Sequence, residues 1–256
     1  VKHFLFGKSR RAGERALRYT VLLAILLPAM PVRAQIALDA QSSYQTSSAG
    51  SSFTWNHTCT GSNLVLVVGV QVHYPVGITS VTYNGVAMTL IGTVQDPDGG
   101  EDQGLYYLAG PATGTNAVVV NLGSSLTFAL GGAVSLTGVS QSTALDATNQ
   151  VGYLSTTSPS VNIVTVASGA WVVDEIDEAQ NNLIFSPVSP QNSAWFSGQY
   201  TNLQGGMSYY GPISPAGSFT DGWSVTTGAP LNGGIIVASF APASGGATVR
   251  YCHGHP

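Results

Sequence analysis

The segment Asp174-Glu175-Ile176-Asp177-Glu178 puts four carboxyl groups on five consecutive residues. On a strand, Glu175 and Asp177 share one face. Two carboxylates so placed are the raw material of glycoside hydrolysis, which in its retaining form needs them about 5–5.5 Å apart. No catalytic residue is favoured outright, and Glu175 and Asp177 are the candidates. The ordinary alternatives are a strand end running into the polar turn Gln180-Asn181-Asn182, or a cation site. A second acidic segment, Asp96-Pro97-Asp98-Gly99-Gly100-Glu101-Asp102, reads as a hairpin loop or a structural calcium site. Calcium takes six to eight hard oxygens, and Asp96, Asp98, Glu101 and Asp102 could supply several. The full EF-hand spacing is absent.

Other chemistry-bearing residues are sparse. Cys59 and Cys252 permit one disulfide, which would tie the C-terminal tail to the first half of the chain. With His57, His253 and His255 they also make a soft-metal set. A serine triad would have to use His57 or His73, and no G-x-S-x-G occurs, so nothing nominates a nucleophile. Aromatic residues thicken late in the chain, where Trp195, Tyr200 and Trp223 are candidates for stacking on sugar rings.

The elements that must position these residues are strands. Thirty-one glycines and thirteen prolines punctuate Val-, Thr-, Ser- and Tyr-rich runs. That pattern predicts an all-β, antiparallel β-sandwich with many short strands and tight turns. Two pseudo-repeats, about 36–139 and 143–242, are marked by Ala37-Leu38-Asp39-Ala40 and Ala144-Leu145-Asp146-Ala147. Each closes on a glycine pair and an apolar strand, at Gly131-Gly132 and Gly233-Gly234. They predict either tandem sandwiches or one fused, jelly-roll-like unit, with a slight preference for the fused form. In the first repeat Phe53, Trp55 and His57 alternate with polar residues, and Asn84-Gly85 marks a type I′ hairpin. Leu64, Leu66, Val68, Val70 and Val72 should face the core. Carrying that register 107 residues on, the tetrapeptide spacing, places Trp171, Val173, Glu175, Asp177 and Ala179 inward. Residues 243–256 read as a loose tail.

Charge is distributed very unevenly. Seven of the eight Lys and Arg residues precede position 34, around the apolar run Thr20–Met30. Residues 1–34 thus have the parts of a secretory signal peptide, with cleavage expected before Gln35 and export to the periplasm, cell surface or medium. The run is too short to span a bilayer, so stable membrane insertion is not expected. The remainder of the chain carries Arg250 against eleven acids. Such a chain cannot neutralise a run of phosphates, which argues against nucleic-acid partners. The acid clusters therefore need solvent, protons or a bound metal, calcium first.

The phrases Val81-TYNGVAMTLIGT, Ala109-GPATGTNAVVV and Gly132-AVSLTGVSQS resemble a family of β-sandwich modules that recur in large secreted bacterial proteins. That resemblance implies location and fold, and a surface, adhesive or carbohydrate-associated role without assigned chemistry. Glu175-Ile176-Asp177 also resembles the catalytic strand of laminarinase- and lichenase-type glycoside hydrolases, which are jelly-roll enzymes. There a third carboxylate comes next on the same face, whereas Ala179 and Gln180 stand here. The expectation is a secreted non-catalytic module contacting neutral glycans or other surface proteins. The alternatives are a hydrolase using Glu175 and Asp177, or an envelope or filament subunit joined by strand edges.

Overall fold

The computed structural model describes residues 35–46, 48–74, 76–97, 99–178, 184–197, 203–226 and 230–244. The signal-peptide reading, Asp98, Tyr200 and Cys252 lie outside the described residues. Among the described residues no helix is long and apolar enough to cross a membrane.

The first half contains β1 (Ala37–Thr46), β2 (Gly50–Cys59), β3 (Val65–His73), β4 (Ile78–Tyr83), β5 (Val86–Ala87), β6 (Thr89–Gln95), β7 (Glu101–Ala109), β8 (Gly114–Leu126) and β9 (Ala129–Thr137). The second contains β10 (Leu145–Thr156), β11 (Ser160–Val164), β12 (Ala170–Glu178), β13 (Phe185–Pro187), β14 (Asn192–Ser197), β15 (Gln204–Ile213), β16 (Ser218–Val225) and β17 (Leu231–Phe240). Each half builds an inner sheet, β1-β9-β3-β7-β6 or β10-β17-β12-β15-β14. Each is backed by an outer sheet, β2-β8-β4-β5 or β11-β16-β13. Apart from β5, which has no counterpart among the described residues of the second half, the orders correspond strand for strand, and each half follows a jelly-roll path. The chain is all-β, as expected, and tandem in arrangement: each half closes its own sandwich, and the two inner sheets share a core.

Three apolar clusters fill the spaces between four layers. Leu66, Val68, Val70 and Val72 of β3 pack with Trp55, Tyr83, Val118 and Val120 inside the first sandwich. Val172, Ile176, Trp223, Ile235 and Val237 pack inside the second. Between the inner sheets lie Val65, Val67, Leu105, Leu130, Val173, Trp195, Met207, Ile236 and Phe240. Both faces of β3 are therefore buried, which is why it reads as a near-continuous apolar run. Asn84 (φ 50°) and Gly85 (φ 76°) make the expected hairpin turn. The returning strand breaks at Met88, whose N–H donates to the Val81 carbonyl. There the chain leaves the outer sheet and enters the inner one.

The repeat signature has a structural cause. Asp39 and Asp146 each sit at a β-bulge in the first strand of their half. Asp39 accepts the Thr60 N–H at 2.9 Å and the Ser135 hydroxyl at 2.7 Å. Asp146 accepts the Val166 and Ala167 N–H groups at 2.9 and 2.8 Å and the Ser239 hydroxyl at 2.9 Å. Each carboxylate thus ties the turn after the second strand to the last strand of its sandwich.

Pairing also corrects the register. Val65 is opposite Leu136, and Trp171 is opposite Phe240; Leu136 and Phe240 in turn face Leu38 and Leu145. Trp171 is therefore the counterpart of Val65, a spacing of 106 rather than 107. A one-residue slip exchanges the faces of a strand. Glu175 and Asp177 consequently correspond to Gly69 and Gln71, and they face the other half. Asp174 and Glu178 correspond to Val68 and Val72, and they face their own sandwich's interior.

Candidate functional site

The carboxyl groups of β12 lie out of reach of solvent. Asp174, Glu175, Asp177 and Glu178 are all 0 % exposed. The Glu175 carboxyl occupies the space above Gly69, where a Cβ would come within 2.8 Å of its carboxyl carbon. Neither of its oxygens makes a hydrogen bond of good geometry, although Gln71 and the Val70 amide lie close enough to favour the ionised form slightly. Burial first, and then the charges of Asp177 and Asp174, hold the Glu175 carboxyl well above the usual carboxylate range. Asp177 is likewise raised by burial, although it accepts the Gly234 N–H at 2.6 Å and the Gln103 amide at 2.9 Å. An ionised, unpaired carboxylate costs far more in such a place than a protonated one. Burial thus favours the protonated form of Glu175 and Asp177.

Asp174 forms a different unit inside the second sandwich. It accepts the Trp223 indole N–H at 2.6 Å and the Ser208 N–H, and meets the buried Asp221 carboxyl. Burial and the neighbouring Asp174 charge push Asp221 well up, so Asp221 carries the proton that the pair shares. These groups stitch β12, β15 and β16 together and are closed off from solvent.

The other predicted residues are redistributed too. Trp223 is fully buried against Phe185, and Trp195 is buried over Gly132 between the inner sheets. Neither offers a ring to a sugar; alternation on β16 and the close approach of the inner sheets turn both inward. Cys59 is buried beside Tyr83, and burial raises its thiol. Asp96 is buried, and Asp102 is half-buried, its carboxyl raised by burial. Among the described residues no group of three or more His, Cys, Asp or Glu is placed to hold a metal ion.

Two sites remain that the sequence reading did not single out. The first is a cleft of about 270 Å³ at one end of the first sandwich, lined by His73, Tyr74, Val76, Leu126 and Phe128 with the hydroxyls of Ser125 and Thr127. Tyr74 is 61 % exposed and leans on the His73 ring, centroids 3.9 Å apart. Phe128 meets His73 edge to face, centroids 6.3 Å apart. Burial lowers His73, which keeps it neutral at physiological pH. Tyr74 has φ 72°, a left-handed conformation that a bulky residue rarely adopts and that costs on the order of 1–3 kcal/mol. Its backbone is pinned there: its N–H donates to Gly100 at 2.7 Å, and its carbonyl accepts the Val76 N–H at 2.8 Å. Backbone strain of this kind clusters at ligand clamps and active sites, which makes Tyr74 and its cleft a candidate site.

The second site is a hydrogen-bonded chain from Ser42 to Asp39. The Trp55 indole N–H reaches the Ser42 hydroxyl at 3.1 Å, and that hydroxyl lies 2.8 Å from His57 Nδ1. His57 Nε2 lies 3.0 Å from the Ser135 hydroxyl, which donates to Asp39. Alternation on β2 groups His57 with Phe53 and Trp55, and the structure turns that face inward; the partners of His57 come from β1 and β9 and leave no sequence signal.

Fold and sites together define a tandem jelly-roll β-sandwich protein whose described surface is poor in charge. Among the described side chains no Asp or Glu is fully exposed, and no Lys or Arg occurs. No family model matches the chain, and neither does any curated protein or solved structure.

Proposed function

We propose that the protein is an exported surface-contact module that binds neutral glycan chains at the cleft beside Tyr74. The observation that supports this reading is an exposed, conformationally pinned tyrosine next to a cavity of sugar-ring size, within a described surface that carries no fully exposed charge. Aromatic faces stack on the apolar faces of pyranose rings, and nearby hydroxyls fix their orientation. Ser125 and Thr127 supply those hydroxyls. An anionic polymer would find no described cation to pair with, so the ligand class is uncharged.

Affinity electrophoresis through gels containing β-glucan, mannan or xylan tests the reading. Retardation in at least one gel is expected, and it should persist at high salt because no ion pair contributes. Tyr74→Ala should restore free mobility without changing the melting temperature, since the ring is mostly in solvent. Equal mobility of the native protein in every gel would refute the reading.

A further inference from the structure

We propose that Ser42 is a reactive nucleophile, directed by His57, that can accept the acyl group of an uncharged carboxylic ester. This goes beyond the glycan reading and rests on a different part of the molecule.

The direction of every proton in the chain is determined. Asp39 can only accept, so Ser135 donates its O–H to it at 2.7 Å. With that proton committed, the Ser135 oxygen must accept from His57, which places the imidazole proton on Nε2. Nδ1 is then an acceptor, and the Ser42 hydroxyl donates to it at 2.8 Å. Asp39 thus selects, through Ser135, the tautomer that a general base beside a serine requires. The Trp55 N–H on the Ser42 oxygen further favours negative charge there.

The second half of the chain is an internal control. It keeps the bulge aspartate and its serine as Asp146 and Ser239, which shows that this pair suffices to tie the sandwich. Ile163 and Asn149 stand at the positions of His57 and Ser42. The imidazole and the serine are therefore additions to a structural strut, present in one copy. Ser42 lies where an electrophile can approach, since β1 and β2 are edge strands of their sheets and Ser42 is half-buried, with the buried His57 behind it. Tyr44, Phe53 and Trp55 form a triangle of near-parallel rings beside it, of which half-buried Tyr44 gives the approach an apolar side suited to an uncharged ester.

In the reaction the Ser42 oxygen bonds to the ester carbonyl carbon while its proton passes to His57 Nδ1. The carbon–oxygen bond to the alcohol breaks, and the leaving alkoxide takes that proton. Water then releases the acid from Ser42, its proton passing through His57 in the same way.

A fluorophosphonate probe tests the nucleophile directly. Its phosphorus bonds to the Ser42 oxygen, fluoride leaves, and the serine proton goes to His57 and then to solvent. The expected result with folded full-length protein is a single adduct that peptide mapping places on Ser42, absent after heat denaturation and in Ser42→Ala. Ser135→Ala, which frees the tautomer, should slow labelling at least about ten-fold. The wild-type rate needs no variant: it should fall as His57, lowered by burial to about 4, becomes protonated. The titratable groups facing His57 are Asp39, Tyr83 and Cys59; burial raises Tyr83 to about 12 and also raises Cys59, so neither loses a proton on the acid side. No adduct on folded protein, an adduct elsewhere, or an equal rate on denatured protein would overturn the proposal.

Discussion

A methyl group at position 132 has nowhere to go. A Cβ there would fall inside the indole of Trp195 from the opposite inner sheet. At the pseudo-equivalent place the sizes are exchanged: Ile236, the counterpart of Gly132, faces Gly92, the counterpart of Trp195, with its methyl 3.5 Å from a Cβ built on that glycine. Large against small on one side and small against large on the other keep the sheets equally close. Gly132→Ala should therefore cost about 1–3 kcal/mol through overpacking, read as a lowered melting temperature. Trp195→Leu in the Gly132→Ala background should recover part of the loss, so that the two changes are not additive. Additive losses would mean that the indole does not pack on residue 132. The glycine pairs were legible in the sequence as a repeat mark. Their role was not, because Gly131-Gly132 and Gly233-Gly234 occupy places two residues out of step and meet different partners.

At the scale of strands, β12 is the element whose chemistry and position conflict most. Its carboxyl groups suggested a surface or a cleft, and the pairing puts them in two interiors. Glu175, Asp177 and the facing Asp221 are held protonated by burial, with pKa values well above their unfolded values of about 4. The unfolded chain thus binds fewer protons than the native one once pH exceeds about 4. Stability is then fully present below that pH and falls as pH rises toward the raised native values, by about 1.4 kcal/mol per unit for each group. His57 and His73 work the other way, each losing stability as pH falls from about 6.5, His57 toward 4, but they are two groups against the raised carboxyls of Glu175, Asp177, Asp221 and Asp102. The melting temperature should peak near pH 4–5 and decline toward pH 8. Glu175→Gln, which keeps the shape and removes the titration, should flatten that decline and raise stability at pH 8. A melting temperature that rises from pH 5 to 8 would mean that the acids are ionised and paired in the native state. Periodicity made the strands legible, including the apolar run of β3. It could not fix the face of β12, because the spacing between repeats drops by one between the first strand and the third.

At the scale of the molecule, the two halves meet as the subunits of an isologous dimer do. Gln71 lies against Gly205, and Asp177, the counterpart of Gln71, lies against Gln103, the counterpart of Gly205. Gly69 and Glu175, counterparts of each other, meet at the centre of this arrangement. A symmetric pair could not place two glutamates there, nor would two glycines fill the gap; the duplicated chain has one of each. The arrangement therefore depends on joining two different halves, and it predicts how they behave apart. A chain of residues 35–140 would expose Val65, Val67, Leu105 and Leu130, an apolar face that the intact protein buries. A chain of residues 141–244 would expose Glu175 and Asp177, which would then ionise and be hydrated. It would also expose Val173, Trp195, Met207, Ile236 and Phe240, so both halves produced separately should self-associate, the second less at neutral pH because of its ionised carboxylates. Mixed at pH 4–5, where Glu175 can stay protonated, they should elute as one heterodimer by size exclusion, and raising the pH should weaken it. Glu175→Gln in the second half should remove much of that pH dependence. Halves that remain separate monomers at both pH values would show that the shared core does not hold the sandwiches together.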